Sequence, residues 1–128
     1  MDEGLSKKIV CFEDLIIWQK AVEFATEIYK LTESAAMRTD FGLKDQIRRA
    51  AVSISANIAE GFERRSRAEY LNFLNIAKGS SGEVRSLLEI AAKVGYLRQD
   101  ELSELRERSK FLSGSITNHM KSIAKSST

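Results

Sequence analysis

The segment from Gln46 to Gly61 carries two parallel stripes at the three- and four-residue spacing of a single helix. Ile47, Ala51, Ile54 and Ile58 form a greasy stripe, and Gln46, Ala50, Ser53, Asn57 and Glu60 form a small, polar one beside it. A helix with both stripes needs two kinds of neighbour. One must cover apolar area, and the other must approach closely and answer hydrogen bonds. Composition agrees with packed helices: the chain has no Pro, only 7 Gly in 128 residues, and 30% charged residues spread along its whole length. Sandwiches, barrels and disorder are disfavoured by that balance.

The flanking sequence supplies the remaining helices. The spacing predicts a first helix from about Glu13 or Asp14 to Thr32, with two apolar series on it. Leu15, Trp18, Val22, Ala25 and Tyr29 form one, and Ile17, Ala21, Phe24, Ile28 and Leu31 form the other. Together they make an arc wider than one bundle seam requires, which points to contact with another subunit. A loop is expected over Glu33 to Gly42, then a second helix from about Leu43 to Phe62, ended by Gly61 in a left-handed conformation. Ser66-Arg67-Ala68-Glu69 fits a capping box at the start of a third helix, which runs to about Val94 and stops at Gly95. Gly79 and Gly82 interrupt that helix, at a cost of about 1 kcal/mol each relative to Ala, and a close approach of the second helix is the simplest compensation. Asp100-Glu101 opens a fourth helix whose inward stripe is Leu102, Leu105, Leu112, Ile116, His119 or Met120, and Ile123.

These elements predict an all-α fold, an antiparallel up-down-up-down four-helix bundle with helices inclined by about 20°. One domain spans residues 1–128, with an N-terminal arm over 1–11 and a frayed tail over 125–128. Cys11 is the only cysteine, so no intramolecular disulfide can form and a reducing cytoplasm suits the chain. Apolar runs such as Leu15-Ile16-Ile17-Trp18 stop far short of a membrane span, and Asp2 and Glu3 break any signal-peptide pattern.

Several blocks in these helices together resemble a known family. They are Phe12-Glu13-Asp14-Leu15 with Trp18 and Ala21, and Leu43 with Gln46-Ile47-Arg48-Arg49-Ala50. Ser53-Ile54, Asn57-Ile58-Ala59-Glu60-Gly61, Phe73-Leu74, Ala77-Lys78-Gly79-Ser80 with Glu83, and Gly95-Tyr96 complete the set. The chain resembles the four-helix bundle proteins first described as reading frames within intervening sequences of bacterial 23S ribosomal RNA genes. That resemblance implies a bacterial cytoplasmic protein, a homopentamer around a central channel, and kinship in fold to the accessory protein of diversity-generating retroelements. It implies no settled activity. Members often carry a proline in the first interhelical loop and another where Ser55 stands, and this chain has neither.

Two constellations are candidates for function. Gln46, Ser53, Asn57 and Glu60, with Ser80 and Glu83 on the next helix, read as an interhelical polar network that fixes register. The sharper reading is a Glu60–Glu83 carboxylate pair doing acid or base chemistry or holding a cation, but no Glu-x-x-His pattern accompanies it. Arg48, Arg49, Arg64, Arg65, Arg67, Lys78 and Arg85 are the candidate nucleic-acid contacts. Their alternative is a set of solvated faces and subunit salt bridges. Twenty Lys plus Arg against eighteen Asp plus Glu leaves a net charge of +2, so any basic surface must come from placement.

Trp18 and Phe73 read as core, Tyr96 as packing after Gly95, His119 as a satisfied bundle histidine, and Cys11 as lacking the His partner of a nucleophile. No catalytic constellation, metal set or cofactor motif is present. The reading is a non-enzymatic homo-oligomer that binds RNA or a nucleic-acid-processing protein. A protein-binding scaffold ring with no nucleic-acid role is its alternative.

Overall fold

The computed structural model describes residues 8–125. Helices α1 (Ile16–Thr32), α2 (Phe41–Phe62), α3 (Arg67–Lys93) and α4 (Gln99–Lys125) follow a 3-10 turn at Phe12–Asp14. Each helix packs on the next and α1 closes the ring against α4, which makes an all-α up-down bundle, with α2 against α3 as the most extensive seam. Most of the expected arm and the expected tail, residues 1–7 and 126–128, lie outside the described residues.

The first helix starts later than its acidic residues suggest. Asp14 turns its carboxylate backward, and Oδ2 accepts from the Val10 amide at 2.9 Å and the Cys11 amide at 3.3 Å. The two acidic residues therefore build the 3-10 turn, and α1 begins at Ile16. Phe12 stacks edge-on against Trp18 at 5.3 Å and ties this turn to α1.

Of the two apolar series on α1, one is sealed: Ile17, Ala21, Phe24 and Ile28 are buried. The other keeps Val22 and Tyr29 exposed. The greasy stripe of α2 is fully interior, with Ile47, Ala51, Ile54 and Ile58 all at 0% exposure. Fully burying each isoleucine contributes on the order of 2 kcal/mol.

The loop between α1 and α2 is not a plain polar connection. Met37 sits in it at 0% exposure, its amide donating to the Ser34 Oγ at 3.3 Å. Asp40 then caps α2 by accepting from the Leu43 amide at 3.2 Å, which brings the helix start forward to Phe41. α2 continues unbroken through Ser55.

The glycines differ from expectation. Gly61 does not end α2 by a left-handed turn, because among the described residues only Gly95 has positive φ, at 89°. A Cβ at Gly61 would lie 2.8 Å from the Phe73 Cβ and 3.0 Å from the Tyr70 ring, so this residue permits α2 and α3 to touch. Gly79 faces open space, with nothing within 4 Å of an added Cβ. The close approach expected there occurs at Gly61 instead.

Gly95 behaves as the natural stop. The Tyr96 amide donates to the Ala91 carbonyl at 2.8 Å and the Gly95 amide to the Ala92 carbonyl at 3.0 Å. This is the Schellman pairing that satisfies the last carbonyls of α3. At the other end of α3, Ser66 Oγ accepts from the Glu69 amide at 3.1 Å, giving the expected cap, while the Glu69 carboxylate accepts from the Ser66 hydroxyl at 3.3 Å.

Candidate nucleic-acid interface

The seven candidate cations divide into spent and free groups. Arg48 is spent inside the fold. Its Nε donates to Thr32 Oγ1 at 2.7 Å, and its Nη2 donates to Glu33 Oε2 at 2.7 Å and to the Tyr29 carbonyl at 3.3 Å. The guanidinium also lies 4.2 Å over the Tyr29 ring. One side chain thus pins α2 to the end of α1. Its hydrogen bond, with Lys44 nearby, holds the Glu33 carboxyl below the usual range.

Arg49 pairs with Asp45 at 3.0 Å on the exposed face of α2. Arg64 spans Glu60 at 2.8 Å and Glu69 at 3.6 Å, and stacks 4.8 Å over the Phe73 ring. Arg65, Arg67 and Lys78 are exposed and have no ion pair among the described residues. Arg67, Lys78 and Arg85 stand 11 and 7 residues apart, spacings that return to one flank of a helix, so α3 carries them in a line.

Arg85 differs from the other members of that line. It is half-buried, and its Nη1 donates to Ser109 Oγ and Ser113 Oγ, both at 3.1 Å. These hydroxyls belong to a serine cluster at the α3–α4 seam. Ser81 and Ser109 share a hydroxyl–hydroxyl bond at 2.8 Å, each hydroxyl also reaches the other's carbonyl, at 3.1 Å and 3.0 Å, and Ser113 donates to Ser81 at 2.9 Å. The sequence reading missed this cluster. Its signal was present: Ser109 fills the inward gap between Leu105 and Leu112, and Ser113 lies four residues beyond it.

The expected polar network forms in part. Ser53 and Ser80 share a hydroxyl bond at 2.9 Å across α2 and α3, and Asn57 Nδ2 donates to the Ser53 hydroxyl at 2.9 Å and to its carbonyl at 2.8 Å. Gln46 and Glu83 are exposed, with no hydrogen bond or ion pair among the described residues. Glu60 also faces outward, where it pairs with Arg64. No contact joins Glu60 to Glu83 among the described residues, and no cluster of three or more His, Cys, Asp or Glu gathers there.

Further along the α3–α4 seam, the Tyr70 hydroxyl and His119 Nε2 share a hydrogen bond at 2.8 Å, with Phe62 edge-on to Tyr70 at 6.0 Å. Burial pushes the Tyr70 phenol up to about 12 and the His119 imidazole below its ordinary value. His119 is thus a satisfied bundle residue. Hydrogen bonding to Glu13 and the neighbouring Asp14 charge raise the Cys11 thiol, the opposite of what a nucleophile needs. No described helix is long and apolar enough to cross a membrane.

A solved structure with the same arrangement exists. A protein of unknown function from the S23 ribosomal protein family of Bacteroides thetaiotaomicron superposes with a TM-score of 0.76 at 28% identity, over 83% of this chain and 99% of that one. Among curated proteins, none matches. The model of the 23S rRNA-intervening sequence protein family matches residues 13–118, from the 3-10 turn through most of α4, and the chain belongs to that family.

Proposed function

We propose that the protein is a non-enzymatic homo-oligomer, a pentameric ring as its family resemblance implies, that binds structured RNA through basic residues repeated around the ring. The observation that carries this reading is the division among the cations. Arg65, Arg67, Lys78 and Arg85 have no carboxylate partner among the described residues, and three of them share one flank of α3. An exposed cation without a partner is available to a phosphate, and ring symmetry multiplies a modest patch into a larger field. The relative from a ribosomal protein family is consistent with an RNA partner. Arg48 takes no part, since its donors are committed to α1.

Gel-shift binding to a structured RNA bearing 5′-hydroxyl ends, repeated across salt concentrations, tests the reading. Binding should weaken steeply between about 50 and 200 mM salt. Changing Arg65, Arg67 and Lys78 together to Gln should lower the salt slope by about one for each phosphate contact removed. Absence of binding at low salt, or binding indifferent to salt, overturns it.

The exposed apolar residues favour a second reading of the same ring as a protein scaffold. Ile16 is 64% exposed, Ile90 on α3 is 49% exposed, and Val94 just past the end of α3 is 58% exposed. This reading expects the triple Gln variant to retain its partner in a pull-down. Both readings require assembly, so light scattering that finds a folded single copy at every concentration removes both.

A further inference from the structure

On the outer side of the α3–α4 seam, Gly82, Arg85, Ser86, Glu89, Arg106 and Lys110 line an open cleft of about 370 Å³. Three cations and one carboxylate leave a lining charge of +2, from 3 − 1. Glu89 is engaged by both Nε and Nη2 of Arg106, the former at 3.0 Å. Lys110 has only a loose partner, Glu107 at 3.9 Å, with both side chains more than half exposed.

Arg85 is the unusual member. A half-buried guanidinium normally sits against a carboxylate, because removing charge from water is costly without a counter-ion. Here Nη1 is spent on the Ser109 and Ser113 hydroxyls, which are neutral and fix the plane of the group. Nε and Nη2 have no acceptor among the described residues. Gly82 leaves Nη2 uncovered on this side, where an added Cβ would lie in van der Waals contact with it, at 3.6 Å.

We propose that this cleft binds a dianionic phosphate group, either free or at the end of a nucleic-acid strand. A terminal phosphate carries a charge of about −2 at neutral pH, which matches the lining. A backbone phosphodiester, with a single charge, would leave the cleft cationic. The rigid fork of Arg85 supplies directional donors, and Lys110 supplies a mobile point charge. The inference goes beyond the RNA-binding reading and does not require it.

The test is a calorimetric titration of the full chain with inorganic phosphate, with chloride at matched ionic strength as the control. The wild type should show saturable binding that chloride does not reproduce. Arg85→Gln should weaken it about tenfold, the scale of one lost charge-assisted pair. Gly82→Ala places a methyl group against Nη2, and should weaken binding several-fold while raising the unfolding midpoint, because alanine is the better helix former. A merely structural role for Gly82 would not separate those two readouts. Should Arg85→Gln fail to fold, the exposed Lys110→Gln stands in, with an expected loss of about threefold.

Oligoribonucleotides of one sequence, with 5′-phosphate or 5′-hydroxyl ends, distinguish the source. Preference for the phosphorylated strand assigns the site to strand ends. Equal binding of both strands, with inorganic phosphate still bound, assigns it to the free ion. A wild type that does not saturate with phosphate, or variants that all bind like the wild type, overturn the proposal. RNA binding through the exposed flank would survive either result, because it is read with 5′-hydroxyl RNA.

Discussion

Tyr96, in the turn after α3, donates its hydroxyl to Asp40 Oδ2 at 2.8 Å, across 56 positions of sequence. The other oxygen of that carboxylate caps α2, so one side chain joins two loops at the same end of the bundle. The bond to the carboxylate holds the Tyr96 phenol above its ordinary range. Tyr96→Phe should lower the urea midpoint modestly. Asp40→Ala should lower it more, since it also removes the cap. In a double-mutant cycle the two losses should fall short of adding.

Two glycine substitutions should act in opposite directions. Gly61→Ala drives a methyl group to 2.8 Å from the Phe73 Cβ, an overlap expected to cost about 2 kcal/mol. Gly79→Ala meets nothing within 4 Å and should stabilise α3 by up to about 1 kcal/mol. Chemical denaturation of the pair measures both. A stabilised Gly61→Ala would contradict the close approach of α2 to α3.

The Tyr70–His119 contact gives stability two sloping pH regions. Burial lowers the imidazole, so the unfolded chain takes up a proton near its ordinary value of 6.5 before the folded chain does. Stability therefore falls as pH drops through that region, and levels off below the folded value. The Tyr70 phenol, pushed up from 10.0 to about 12, ionises first in the unfolded chain, so stability also falls as pH rises between those values. Unfolding midpoints at pH 7.5 and 5.5 should differ in the wild type and converge in His119→Gln. Glu33 and Asp100, whose carboxyls are lowered, act only in the acid range below about 4.5.

Arg48→Gln should destabilise the bundle by about 1–2 kcal/mol, because it removes the hydrogen bonds to Thr32, the Tyr29 carbonyl and Glu33 and the Tyr29 ring contact that tie α2 to the end of α1. RNA affinity should be unchanged by it. An Arg48→Gln protein of normal stability that no longer binds RNA would reverse the assignment of this residue to the fold.

The stripes of α2 were legible because periodicity alone places Ile47, Ala51, Ile54 and Ile58 on one side. Ser53, Asn57 and Ser80 were legible for the same reason, being small and polar beside that side. The ends of helices were less so. Asp14 bends back to amides before it and Asp40 caps a helix two residues earlier than the apolar pattern starts, choices made by local hydrogen bonding rather than by period. The division of the arginines was not legible at all. Arg48 and Arg49 are sequence neighbours, yet 100° of helical rotation sends one into α1 and leaves the other in water. Which of them turns inward depends on what lies opposite, and only the packed bundle supplies that.

Met37 stands in a stretch that looks like a connector and is nevertheless sealed from solvent. Its sulfur is out of reach of peroxide while the loop stays shut, so conversion to the sulfoxide must wait for that loop to open. Methionine oxidation at this one position is therefore a built-in clock for how often the crossing between the first two helices breathes.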